Sequence, residues 1–190
     1  MNTHKYLLLA FFLLSINLGT SQEHSQKSES IKKMKEIAFY TGYKWKEKTA
    51  KTADGSIYRN ELIKYPKLGG LVSLNTTFDS QEENGGLLPF LYGVSGWDPV
   101  ERKITFLDFS RDGMMVQGNI ELVSTDTIQY SFDFAFPGNK RKLKGRDVLA
   151  FNKDKTEFVW TSLLITKTGE LRKLNESVMI RGMPVSPDGS

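Results

Sequence analysis

Polar and apolar positions change their period along this chain. An unbroken apolar run from Tyr6 to Leu14 gives way to the polar segment Gln22-Glu23-His24-Ser25. From Ser30 onward Ile31, Met34, Ile37 and Ala38 recur at helical spacing, with Lys32, Lys33 and Lys35 on the opposite side and Ser30 placed as an N-cap. This predicts a helix of about two turns that ends before Gly42. After Gly42 the period becomes two. Its clearest instance sets Ile128, Tyr130, Phe132, Phe134 and Phe136 against Gln129, Ser131, Asp133 and Ala135, one face aromatic and the other polar.

Runs of this kind predict about ten strands, over 43–51, 56–65, 70–78, 87–95, 103–110, 114–122, 127–136, 145–152, 157–166 and 170–181. Tight-turn chemistry separates them at Asp54-Gly55, Asp112-Gly113, Asp154-Lys155 and Thr168-Gly169. No connection is long enough to hold a crossover helix, so sequential strands pair antiparallel. The expected fold is all-β, an up-and-down antiparallel barrel of about ten strands with a short N-terminal helix. Such a barrel is wider than an eight-stranded one, and a cavity is expected in it. Polar groups facing that cavity need partners in each other, water or a ligand. Inward faces are read as Tyr43, Trp45 and Glu47 on the first strand, and Arg172, Leu174, Glu176, Val178 and Ile180 on the last. Pro89 cannot donate to a ladder and marks an edge or bulge, while Gly93 and Gly96 mark close backbone approach or a bend. The segment 79–86, with Asn84-Gly85-Gly86, reads as a loop at one barrel mouth.

The flanks set the boundaries. Residues 1–21 read as a secretory signal peptide, because the apolar run is shorter than the roughly 20 residues a membrane helix needs and small residues precede a polar stretch. Residues 22–29 follow as a flexible segment, 30–183 as a single domain and 184–190 as a frayed tail. Export to the periplasm or the exterior is expected, with no integral span after cleavage. No cysteine is present to accept a lipid near the cleavage region or to form disulfides.

Composition narrows the classes. With 39% hydrophobic and 12% aromatic residues in 190, one core can offset the entropy of ordering. The formal charge of +4 falls by one when Lys5 leaves with the signal segment. Charge of this size names no partner. The run Lys140-Arg141-Lys142, with Lys144 and Arg146, reads as a solvated loop entering a strand rather than a nucleic-acid site. Lys44, Lys46 and Lys48 share one wet strand face.

The residue inventory is restrictive. His4 lies in the signal segment and His24 in the mature N-terminal stretch, leaving none for the fold. Nucleophile–histidine pairs, histidine or cysteine zinc sites and the usual haem ligands therefore have no residues to build them. No metal or cofactor and no catalytic residue is assigned. Glu47, Glu61, Asp108, Tyr92 and Tyr130 are inward-reading acid or base candidates, the carboxylates among them also explicable as partners of an arginine such as Arg59 or Arg172. Asp54, Asp112, Asp126 and Asp188 fit turn geometry and lack calcium-loop spacing. The candidate ligand-binding residues are Tyr92, Trp97, Phe106, Tyr130, Phe132, Phe158 and Trp160, which either line a pocket or fill the barrel.

The helix, the opening Gly42-Tyr43-Lys44-Trp45, the meander, and the middle pattern Gly93-Val94-Ser95-Gly96-Trp97-Asp98-Pro99 with Asp112-Gly113 and Gly118 resemble bacterial lipocalin-like (calycin-type) barrels across about residues 31–181. Lipocalins have one residue fewer between that Gly and Trp. The resemblance implies that Trp45 packs under a cationic side chain of the last strand, Arg172 or Arg181, to close one end. Nitrobindin-like barrels hold haem through a histidine this chain lacks. The expectation is an exported protein that binds a small, largely hydrophobic molecule in the barrel. Alternatives are an envelope interaction module or inhibitor, and a histidine-free enzyme using tyrosine and carboxylate groups.

Overall fold

The structure, a computed structural model, describes residues 27–48, 50–51, 57–58, 60–68, 72–79, 88–138 and 141–185. The signal segment, the Asp54-Gly55 turn, Arg59, nearly all of the mouth loop and the end of the tail lie outside the described residues. Residues 27–36 form helix α1. The strands are β1 (Tyr43–Glu47), β2 (Ala50–Lys51), β3 (Ile57–Tyr58), β4 (Asn60–Lys67), β5 (Val72–Asp79), β6 (Leu88–Asp98), β7 (Lys103–Ser110), β8 (Met115–Ser124), β9 (Thr127–Ala135), β10 (Leu143–Phe151), β11 (Glu157–Ile165) and β12 (Leu171–Pro184). β2 and β3 form a small ladder of their own. The other ten close into an antiparallel barrel in which β4 to β12 follow chain order and β1 sits between β12 and β4. The architecture is the up-and-down barrel that the alternation predicts.

Of four register shifts in the barrel ladders among the described residues, two put an extra residue at the cavity. Phe78 faces Pro89 while Thr77 faces Leu91, which leaves Phe90 as an extra residue beside the proline that cannot donate to the ladder. On the other side Ser162 faces Asn175 and Leu163 faces Lys173, so Leu174 is extra. Both bulged residues turn toward the barrel mouth.

α1 and the turn after it cover one end. Met34, Ile37 and Tyr40 are buried against Trp45, Phe151, Phe158 and Met179, while Lys33 and Glu36 pair at 2.9 Å on the wet side. Gly42, at φ 84°, takes a backbone conformation that side chains disfavour, and this bend brings the chain from the turn into β1. Its N–H donates to the Lys64 carbonyl at 2.8 Å. Glu29 reaches Arg102 at 2.7 Å and ties the helix to the β6–β7 turn.

Three local expectations are corrected. The helix already runs at residue 27, so Ser30 lies within it rather than at its cap, and residues 27–29 are helical rather than loose. Ala38 is exposed, because the helix ends at 36 and the following turn rotates Ile37 and Tyr40 inward instead. On β12 the buried residues are Ser177 and Met179, whereas Leu174 and Ile180 are exposed. The register explains this: Met179 faces Phe158 and Ser177 faces Trp160, both on the inner face of β11.

Candidate functional site: an aromatic cavity with a polar floor

Above the covered end the barrel is not filled. A cavity of about 310 Å³ is bounded by Leu62, Phe106, Val116, Phe132 and Leu149, and by Phe90, Met114, Phe134, Leu163 and Leu174 toward the mouth. The aromatic face of β9 lines it from floor to mouth, in contact along its length. Phe106 meets Tyr130 edge-on at 5.2 Å and Phe132 at 6.2 Å, and Phe132 and Phe134 lie 6.0 Å apart. Such walls favour apolar surface and leave polar groups conspicuous.

The polar groups lie toward the covered end. Lys64 projects inward from β4, two residues after Leu62, and is 3% exposed. Its ammonium stands 4.9 Å from the ring centre of Tyr40 and 5.5 Å from that of Tyr130, within cation–π range. Asp108 follows Phe106 on the inner face of β7, and Asp147 precedes Leu149 on β10. Asp147 faces Tyr130 across β9 and Ser162 across β11.

Burial dominates their protonation. It pushes the Asp147 carboxyl up to about 6, only partly offset by the Ser162 hydroxyl and the Trp160 indole. It brings the Lys64 ammonium down to about 8, while the Asp108 carboxylate works in the opposite direction. Burial likewise raises the Tyr40 and Tyr130 hydroxyls, which stay protonated. Tyr130 Oη and Trp160 Nε1 are buried yet complete no hydrogen bond of normal geometry among the described residues, even though Tyr40 and Asp147 are near enough to influence them.

Of the ligand-binding candidates, Phe106, Tyr130, Phe132 and Trp160 meet in this cavity. Phe158 packs instead under the covered end, 4.8 Å from both Trp45 and Phe151. Trp97 packs against the core outside the cavity. Tyr92 is 55% exposed and shares the outer face with Val94 and Phe109, because Gly93 and Ser95 take the inward positions of β6. Among the acid and base candidates, Asp108 joins Tyr130 at the cavity, while Glu61 lies outside the cavity and pairs with Lys44 and, at 3.7 Å, Lys46.

Trp45 is fully buried, and its indole N–H donates to the Tyr40 carbonyl at 3.0 Å. Arg181 is its register neighbour, but the guanidinium covers the ring of Tyr43, 4.9 Å away. Arg172 is exposed opposite Leu164, at the mouth end of β12. Sequence reasoning missed Lys64, Asp147 and Tyr40. Two of them carried a signal, namely a lysine in phase with Leu62 and an aspartate in phase with Leu149 and Phe151.

No protein-family model matches the chain. No curated protein matches it either. The likeness to lipocalin-like proteins therefore stands on architecture, a closed ten-stranded antiparallel barrel covered at one end by a helix.

Proposed function

We propose that this protein binds a small, largely apolar molecule inside the barrel, and that it does so after export under the direction of residues 1–21. The observation that carries the reading is the cavity of about 310 Å³ with a wall of Phe106, Phe132, Phe134 and Trp160. An interior evolved only for stability packs at the density of organic crystals, with few voids larger than a water molecule. A space of this size is in the range of small-molecule pockets.

The test is titration of the purified protein with N-phenyl-1-naphthylamine, an uncharged dye that fluoresces in apolar surroundings. Saturable one-to-one binding is expected, weakened at least tenfold by Met114→Trp, which places an indole at the cavity's edge. Thermal unfolding of the variant checks that the barrel is intact. Absence of saturable binding, or binding that an intact Met114→Trp protein retains in full, overturns the reading.

A further inference from the structure

We infer that the ligand is uncharged and carries a hydroxyl or carbonyl oxygen, bound against Tyr130 and Trp160 at the polar floor, and that anionic amphiphiles such as fatty-acid carboxylates are disfavoured. This rests on the reading that the cavity binds a ligand and specifies its chemistry.

Two observations lead to it. The first is hydrogen bonding: Tyr130 Oη and Trp160 Nε1 both border the cavity, both are buried, and neither completes a hydrogen bond of normal geometry among the described residues, although Tyr40 stands near the first and Asp147 near the second. Leaving a buried donor unmade costs about 1–3 kcal/mol, so a ligand oxygen that accepts from them recovers what an alkane cannot. An indole N–H can only donate, so the matching ligand atom is an acceptor.

The second is charge. Among the described residues the ionisable groups bordering the cavity are Lys64 from β4, Asp108 from β7, Asp147 from β10, Tyr130 from β9 and Tyr40 from the turn after α1. Both tyrosines are held protonated, so two carboxylates face one lysine, whose charge is about half present at pH 8. A ligand carboxylate would enter an apolar space with an excess of negative charge and lose its hydration there. A quaternary ammonium would be drawn by the two carboxylates but would lose its hydration in the apolar space and bring no acceptor to the Tyr130 and Trp160 donors. A hydroxyl avoids both penalties and can also donate to Asp147.

Competition against bound N-phenyl-1-naphthylamine tests this on the full protein at pH 8, with decan-1-ol, sodium decane-1-sulfonate and decyltrimethylammonium as equal-length probes whose charges do not change with pH. Decanol is expected to displace the dye at a concentration at least tenfold below either charged probe. Lowering the pH to 5 protonates Asp147 and completes the charge on Lys64, and both changes are expected to narrow the gap between decanol and the sulfonate. The same narrowing is expected at pH 8 in Asp147→Asn. Equal or tighter binding of the sulfonate or the ammonium, or a dye that none of the three displaces, overturns the inference while binding in the barrel stands. Failure of the dye itself to bind overturns both.

Discussion

The carboxylate of Asp108 occupies the space in which a Cβ on Gly93 would stand. The two are register partners on β6 and β7, and the glycine is what lets an inward carboxylate lie flat against the neighbouring strand. The glycine thus gives the floor of the cavity room for a charged group.

Gly93→Ala is expected to destabilise the barrel by about 1–3 kcal/mol, the usual cost of forcing atoms into packed space. Removing the carboxylate will not repair it, because the new methyl group also meets the Leu107 carbonyl at 2.6 Å. Equilibrium unfolding in urea of Gly93→Ala and of Gly93→Ala combined with Asp108→Ala checks both statements; full recovery in the double variant contradicts the backbone argument.

Trp45 ties the helix end of the barrel together through one hydrogen bond and ring contacts with Tyr40, Tyr43, Phe151 and Phe158. Trp45→Ala should cost about 3–5 kcal/mol, as for other large aromatic truncations in cores. Trp45→Phe keeps most of the contact area and strands the Tyr40 carbonyl, for about 1–3 kcal/mol. Urea midpoints in the order wild type, Phe, Ala are the expected result.

Stability should depend on pH through two cavity groups with opposite signs. Asp147, raised from 3.8 to about 6, binds its proton more tightly in the folded state, so its contribution is present below pH 4 and is lost as pH rises to 6. Lys64, lowered from 10.5 to about 8, binds its proton more tightly in the unfolded state, so stability rises again between pH 8 and 10.5. Each limb is worth on the order of 3 kcal/mol before losses in hydrogen bonding are counted. Urea unfolding across the pH range should show a trough between pH 6 and 8, and Asp147→Asn should flatten its acid side.

Glu61 contrasts with these cavity groups. Its own side chain is only 12% exposed, but its partners Lys44 and Lys46 are 30% and 59% exposed, so water reaches the pairing from the lysine side. Glu61→Gln is expected to change stability by less than about 1 kcal/mol and to leave dye binding intact. A larger loss would mean that this pairing holds β1 against β4.

The alternation of β7 to β11 was enough to identify the fold class, because side chains of period two between tight turns can only bury one face by pairing antiparallel. Phe106, Tyr130, Phe132 and Trp160 were legible as candidates for the same reason. Which of them meet was not legible. Tyr92 faces outward and Phe158 packs under the helix because strand register and the bulges at Phe90 and Leu174 decide level and face, and register is a relation between strands that no single strand encodes. Lys64 and Asp147 are in phase with the apolar residues of their strands, but phase alone does not tell a buried charge from one at a wet rim. Only closure of the barrel placed them behind apolar walls, where burial moved their protonation and turned a chain with no histidine in the described fold into one with a charged, aromatic cavity.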